Sequence, residues 1–350
     1  MPKGRGHPPD GQRVIPTPVA VDIDWNRPAN RFRSYPAQPP QLNMNSVFID
    51  PSITDDVRRR LLYSGQILVY SPTPSSIALC EFAQKLSIEA FAPFDPKMAQ
   101  FEMSVENYAA ILAEFKPRFI HHPTCKQLIQ SMFIEMGCDP AKTYFDVPRL
   151  RTSTSNNYLT SGLAYAFHPH RDTWYSAPQC QINWWLPVYD ILPENCLAFH
   201  PKYWTQPIKN SSGDYNYYRW NKESRAAAAK QVKADTRSQP KATESIELDP
   251  QVRIVSKIGS IVLFSAANLH SSVPNTSGYT RFSIDFRTVN LDDVANKVGA
   301  PNIDSACTGT TLRDYLSGKD LSRLPEDLVR LYDTEPPPED AVLVYNPDKH

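Results

Sequence analysis

The stretch Lys257-Ile-Gly-Ser-Ile-Val-Leu-Phe-Ser-Ala-Ala-Asn-Leu-His270-Ser-Ser-Val-Pro-Asn-Thr-Ser-Gly-Tyr-Thr-Arg281-Phe-Ser-Ile-Asp-Phe-Arg-Thr-Val289 holds two strand signals about a turn. Residues 260–265 are a short apolar run, and 280–289 alternate between polar and apolar side chains. With period two, Arg281, Ser283, Asp285 and Arg287 face one way and Phe282, Ile284 and Phe286 the other. A solvated charged face and an inward polar face both fit this pattern. Working outward, 149–153, 163–167, 180–187, 197–200 and 253–255 are further candidate strands, punctuated by Pro, Asn and Ser. The block from about 144 to 290 therefore reads as a β-rich unit of the sandwich or barrel kind.

The flanks differ in character. Helix-start chemistry at Asp50-Pro-Ser-Ile-Thr-Asp-Asp56 precedes a helix from Val57, and 65–70 reads as a strand. Apolar positions at helical spacing predict helices over 75–92, 105–115 and 125–136, packed on one side of a sheet. Residues 207–250 are an insertion between strands. Ser224-Arg-Ala-Ala-Ala-Ala-Lys within it predicts a helix, and its Lys and Arg a solvated face. Residues 1–45 are a Pro/Arg-rich leader or arm, nine of the chain's 33 prolines falling in the first 40 residues. Trp25, Phe32 and Tyr35 are its possible anchors. Residues 291–350 form a C-terminal extension packed on the domain, with a helix at 325–332. The 46–290 span is a single domain, helical up to 144 and β-rich beyond.

The 350 residues carry 37 Lys+Arg against 37 Asp+Glu, so no whole-chain field recruits nucleic acid. No apolar run spans a membrane, and the six scattered cysteines read as reduced thiols. These features predict a cytoplasmic protein, monomer or homodimer, acting on a small molecule.

The chemistry concentrates in His168-Pro-His170-Arg-Asp172 and the distant His270. Two imidazoles and one carboxylate on one face of an octahedron leave open positions, which suits Fe(II). Residues two apart on an extended chain point the same way, so His170 and Asp172 can reach one ion, while the fold must bring in His270. His168, separated by Pro169, reads as loop packing. Arg281 could grip a carboxylate with its fork of donors.

These residues resemble the Fe(II)/2-oxoglutarate-dependent oxygenases, and among them the phytanoyl-CoA hydroxylase-like branch. The resemblance covers about 57–290. Arg60-Leu-Leu-Tyr-Ser-Gly-Gln-Ile-Leu-Val-Tyr70 is similar to the opening helix-to-strand element, and His170-Arg-Asp172 to the first two iron ligands. Glu194-Asn-Cys-Leu-Ala-Phe-His-Pro201 resembles the "E-N-G-x-L-x-x-x-P" segment, with Cys196 in place of Gly. His270-Ser-Ser-Val-Pro-Asn-Thr-Ser277 followed by Arg281 resembles the "H-x-S-x-x-N-x-S…R" block.

The resemblance implies a β-rich α+β fold with a double-stranded β-helix (jelly-roll, cupin-like) core. It implies iron held by His170, Asp172 and His270, and 2-oxoglutarate bound at Arg281 and Ser272, with Gln181 and Asn183 lining the barrel nearby. Trp174, Arg151 and Arg287 are the candidate substrate contacts, with Arg149 close behind. The implied reaction consumes O2 and 2-oxoglutarate, releases succinate and CO2, and hydroxylates or otherwise oxidises a C–H bond of an amino-acid-like or natural-product intermediate. Asp172 argues against halogenation, because the family's halogenases carry a small residue there. The competing readings are a non-catalytic jelly-roll binding module, a zinc hydrolase and a cupin isomerase. Arg281 with Ser272 is the feature that only the 2-oxoglutarate reading needs.

Overall fold

The computed structural model describes residues 46–164, 168–225, 227–232, 234–333 and 337. The expected leader and the end of the C-terminal extension lie outside these residues. Helices α1 (Asp55–Tyr63), α2 (Pro74–Phe91), α3 (Val105–His121) and α4 (Pro123–Glu135) open the described chain. Thr54 caps α1 by accepting from the Val57 amide, and Asp55 and Asp56 sit in its first turn, where the positive end of the helix favours them. Thr73 and Ser76 form a reciprocal capping box on α2, with Pro74 at its first position. Pro123 then starts α4 immediately after α3, where a missing N–H costs nothing.

Eleven strands lie among the described residues: β1 (Val47–Ile49), β2 (Ile67–Tyr70), β3 (Thr143–Phe145), β4 (Arg149–Ser153), β5 (Ile182–Pro187), β6 (Leu197–Phe199), β7 (Val252–Ile254), β8 (Ile261–Ser265), β9 (His270–Ser272), β10 (Arg281–Asn290) and β11 (Leu316–Ser317). Eight form one sheet in the order β1-β2-β8-β5-β10-β3-β11, with β4 also pairing β10. The other three form a small sheet, β7-β6-β9. All pairs are antiparallel except β1 with β2.

Alternation along the central strands sorts their side chains into two layers. Ile182, Trp184 and Leu186 of β5, Ile261 and Leu263 of β8, and Phe282, Ile284 and Phe286 of β10 share one apolar cluster with Leu79, Leu112, Ile129 and Phe133 of the helices. Trp185, Val262 and Phe264 point the other way and meet Leu197, Phe199 and Val273 on the small-sheet side. The chain is thus layered as helices, large sheet, small sheet, a mixed α+β architecture.

Three sequence expectations need correction. Residues 162–164 form a 3-10 turn where a strand over 163–167 was expected, and 165–167 lie outside the described residues. Gly162 has φ +60°, and a Cβ there would stand 2.3 Å from the Gln231 carbonyl oxygen, so the insertion's backbone occupies the place of a side chain. Ser161 Oγ also donates to the carbonyls of Gln231 and Val232. The same docking breaks the Ala-rich segment into a π-type turn (Trp220–Arg225) and a 3-10 turn (Ala228–Lys230) in place of one helix. The third correction is at 325–332, where only the single turn Glu326–Val329 is helical. Ahead of it, Leu312 and Tyr315 join the helix-side core, which ties the extension to the sheet.

Candidate active site

His170 and His270 meet across a backbone bridge in which each amide donates to the other's carbonyl at 3.0 Å. Each ring's Nδ1 lies against a carbonyl two residues back, His168 O at 2.7 Å and Asn268 O at 3.0 Å. An Nδ1 so placed carries the proton, which leaves the Nε2 lone pair of each ring facing the same point. Asp172, the first residue of a 3-10 turn (Asp172–Tyr175), puts Oδ1 3.4 Å from His170 Nε2 and 4.0 Å from His270 Nε2. One donor atom from each residue lies within 4.8 Å of the others. Burial would raise the Asp172 carboxyl, but His170, the Arg287 guanidinium and His270 together hold it well below the usual carboxylate range. Burial, reinforced by His170, pushes His270 down to about 4. Two imidazoles and an ionised carboxylate make a donor set that fits Fe(II) with positions left for other ligands.

Arg281 enters the same cavity from β10 at 5% exposure. Nη1 donates to the Asn195 carbonyl at 2.9 Å, and Nη2 to Ser272 Oγ at 3.3 Å, while Nε has no acceptor among the described residues. The guanidinium lies 5.8 Å from the Trp185 ring centre. Burial pushes it down to about 10, and among the described residues no carboxylate lies within ion-pair distance of it, although Asp285 acts on it from further away. A dianionic cosubstrate would supply the missing counter-charge, so the residues present fit 2-oxoglutarate.

Gln181 Nε2 donates to Asp172 Oδ2 at 3.2 Å and to Asn183 Oδ1 at 3.0 Å, and both Gln181 and Asn183 line the cavity. Sequence reasoning missed Tyr315, whose hydroxyl donates to Gln181 Oε1 at 2.8 Å and whose remote position gave no signal.

Trp174 does not reach the cavity. It is fully buried among Tyr203, Ile208 and Leu269, and its indole N–H donates to Asp304, so its role is packing. Arg151 and Arg287 do line the cavity but are ion-paired there, with Asp285 and with Asp146 respectively. Arg149 likewise pairs with Asp146.

The cavity holds about 510 Å³, the size of a small-molecule site. Phe264, Leu197 and Trp185 wall it near His270, and Tyr175, Tyr215 and Trp220 wall it on the insertion side. The insertion's Arg225 and Arg237 also line it, which corrects the expectation of a wholly solvated basic face.

Residues 77–283, more than half of the chain, match the family model described as Phytanoyl-CoA dioxygenase (PhyH). The chain belongs to the phytanoyl-CoA dioxygenase family. It is an Fe(II)- and 2-oxoglutarate-dependent oxygenase, and membership sets aside the binding-module, zinc-hydrolase and cupin-isomerase readings. No curated protein matches this family member by sequence.

Among solved structures it is similar to the non-heme monooxygenase ThoJ in its apo form, at 13% identity, TM-score 0.34, over 64% of this chain and 74% of that one. It is also similar to the epimerase SnoN in complex with Fe3+, alpha ketoglutarate and nogalamycin RO, at 12% identity, TM-score 0.36, over 68% and 85%. A third is EvdO2 from Micromonospora carbonacea var. aurantiaca complexed with 2-oxoglutarate, at 14% identity, TM-score 0.31, over 50% and 62%. The family assignment rests on the family model and not on these likenesses. Among the described residues, no helix is long and apolar enough to cross a membrane.

Proposed function

We propose that this oxygenase hydroxylates, or otherwise oxidises at a C–H bond, a small-molecule metabolite bound between its two sheets. In this reading the sheets are the halves of a double-stranded β-helix, and 46–290 is one oxygenase domain. His170, Asp172 and His270 hold iron. Arg281 and Ser272 hold the distal carboxylate of 2-oxoglutarate. The observation that carries the reading is the pairing of an imidazole–imidazole–carboxylate cluster with a buried guanidinium that has no carboxylate partner among the described residues.

Bound iron with 2-oxoglutarate and O2 supplies the oxidising power for the C–H bond, with succinate and CO2 as co-products. The chain's residues make that chemistry selective. The carbonyls of His168 and Asn268 hold Nδ1 of the two histidines and so orient their Nε2 atoms toward the site. Gln181, itself held by Tyr315, fixes Oδ2 of Asp172 and leaves Oδ1 toward the histidines. The rings of Phe264 and Phe199 lie 4.8 and 6.2 Å from that of His270, giving this ligand an apolar wall.

The test is Fe(II)-dependent conversion of 2-oxoglutarate to succinate under air, alone and with panels of small acids, amino acids and polycyclic natural products. The reading predicts that a true substrate accelerates succinate release and is recovered one oxygen heavier, or two hydrogens lighter. Succinate formation that persists unchanged in Asp172→Ala would contradict it.

A further inference from the structure

The cations that line the cavity can be matched to their counter-charges one at a time. Arg149 and Arg287 share Asp146, and Arg151 pairs with Asp285, which also lies 3.5 Å from Arg287. Two carboxylates therefore serve three arginines. Arg281 is matched by the cosubstrate. Arg237 pairs with Asp235, so Lys116 and Arg225 are left. Lys116, at 7% exposure on α3, gives its ammonium to the Leu163 carbonyl. Arg225 gives Nη1 to the neutral Asn221 Oδ1 at 3.3 Å. Among the described residues neither has a carboxylate within ion-pair distance, and both line the same cavity as His170 and Arg281. Burial pushes both cations down, Lys116 to about 7, with Arg151 adding to the fall for Lys116 and Arg149 for Arg225.

Iron, Asp172, Arg281 and a 2-oxoglutarate dianion sum to zero charge, so the cationic surplus belongs to the rest of the cavity. Leaving such charge buried is costly unless an anion arrives to match it. The path to Arg225 is lined with rings. Tyr175 lies 5.5 Å from the His170 ring, Tyr215 lies 5.5 Å from Tyr175, and Trp220 lies 6.1 Å from Tyr215 at the start of the turn that ends in Arg225.

We propose that the substrate is an acid, with an apolar body along Tyr175, Tyr215 and Trp220 and a carboxylate or phosphate group seated by Arg225 and Lys116. The assignment rests on the oxygenase reading above for its account of Arg281. It also gives the insertion a task, since Trp220 and Arg225 are its residues. A neutral substrate would leave both cations unmatched.

Binding of three naphthalene probes tests it: 1-naphthoate, 1-naphthyl phosphate and the neutral 1-naphthylmethanol. The protein is loaded with Mn(II) and saturating 2-oxoglutarate, so that Arg281 is already engaged. At least one anion should bind about tenfold or more tighter than the alcohol. R225Q and K116M should each remove about tenfold of that affinity without moving the alcohol, and R225K should keep most of it. Preference for the phosphate identifies a phosphate ester as the substrate class, and preference for the naphthoate an organic acid.

Equal affinity for acid and alcohol in the wild-type protein overturns the proposal. So do anion affinities unmoved in R225Q and K116M that fold and melt at or above the wild-type temperature. A failure of the oxygenase reading would show separately, as Mn(II)-protein that binds no 2-oxoglutarate. Anion binding lost in R281Q but kept in R225Q would then place the anion at Arg281 and overturn the proposal as well.

Discussion

Arg281 and Lys116 are both buried cations in one cavity, yet the sequence made only the first legible. Arg281 stands eleven residues beyond His270 on a strictly alternating strand, so its direction follows from period two. Replacing it with Gln keeps the shape and removes the charge. R281Q should raise the KM for 2-oxoglutarate roughly 10- to 100-fold, the worth of about 1.5–3 kcal/mol of charged hydrogen bonding, with folding intact. Unchanged cosubstrate affinity in steady-state kinetics would count against the role given to it.

Lys116 sits near the end of a helix whose polar positions face either solvent or the sheet, and no sequence pattern says which. Trp174 failed for a related reason, because closeness in sequence to Asp172 says nothing about which side of a turn a side chain takes. Lys116 carries a pH signature. Its folded-state value of about 7 lies below the 10.5 of an exposed lysine. Below pH 7 it is charged in both states and the burial penalty is paid in full. Between 7 and 10.5 only the unfolded chain keeps the proton, so stability recovers by up to about 1.4 kcal/mol per pH unit. Lys116→Met should therefore be more stable than wild type at pH 6, with the gap narrowing by pH 9. Denaturant melts at the two pH values check this, and a constant gap would refute it.

At the scale of elements, the strands were legible wherever burial on one or both faces wrote a pattern. β4 (Arg149–Ser153) matches its expected bounds, and β5, β8 and β10 lie within two residues of theirs. The helices α2 and α4 were similarly clear, whereas α3 runs on to His121 beyond its expected end at 115, with Pro117 inside it. What failed was the contact between 161–162 and the insertion. A glycine with φ +60° and an Ala-rich run each have a plausible local reading, and only their mutual docking decides against both.

That docking makes a prediction. Gly162→Ala places a methyl into the Gln231 and Ala228 carbonyls and forces a left-handed residue, a strain of about 1–3 kcal/mol. The insertion should loosen, with faster tryptic cleavage at Arg225, Lys230 or Arg237 and little change in the global melt. Unchanged cleavage would mean that the insertion is held elsewhere.

Over the whole molecule, the zero formal charge conceals an uneven distribution: surface pairs such as Arg60 with Asp56 and Lys142 with Asp292 are balanced, while the cavity is cationic. Composition could exclude a nucleic-acid field but could not report that interior surplus, because net charge sums over position. The central feature, His270 brought to His170 and to Asp172 98 residues before it, was suggested by ligand chemistry and made specific by the family resemblance. Spacing by itself offered a weak His-x-Asp and a lone histidine. The fold supplies the rest by pairing His170 directly across from His270, which places both rings by backbone hydrogen bonds.

The most direct test is to add Fe(II) and then 2-oxoglutarate to the protein without oxygen and record the visible spectrum, in wild type and in His270→Ala. The account predicts a weak charge-transfer band that needs both additions and is lost in the variant. Folded wild-type protein that contains iron and shows no band with 2-oxoglutarate would contradict it.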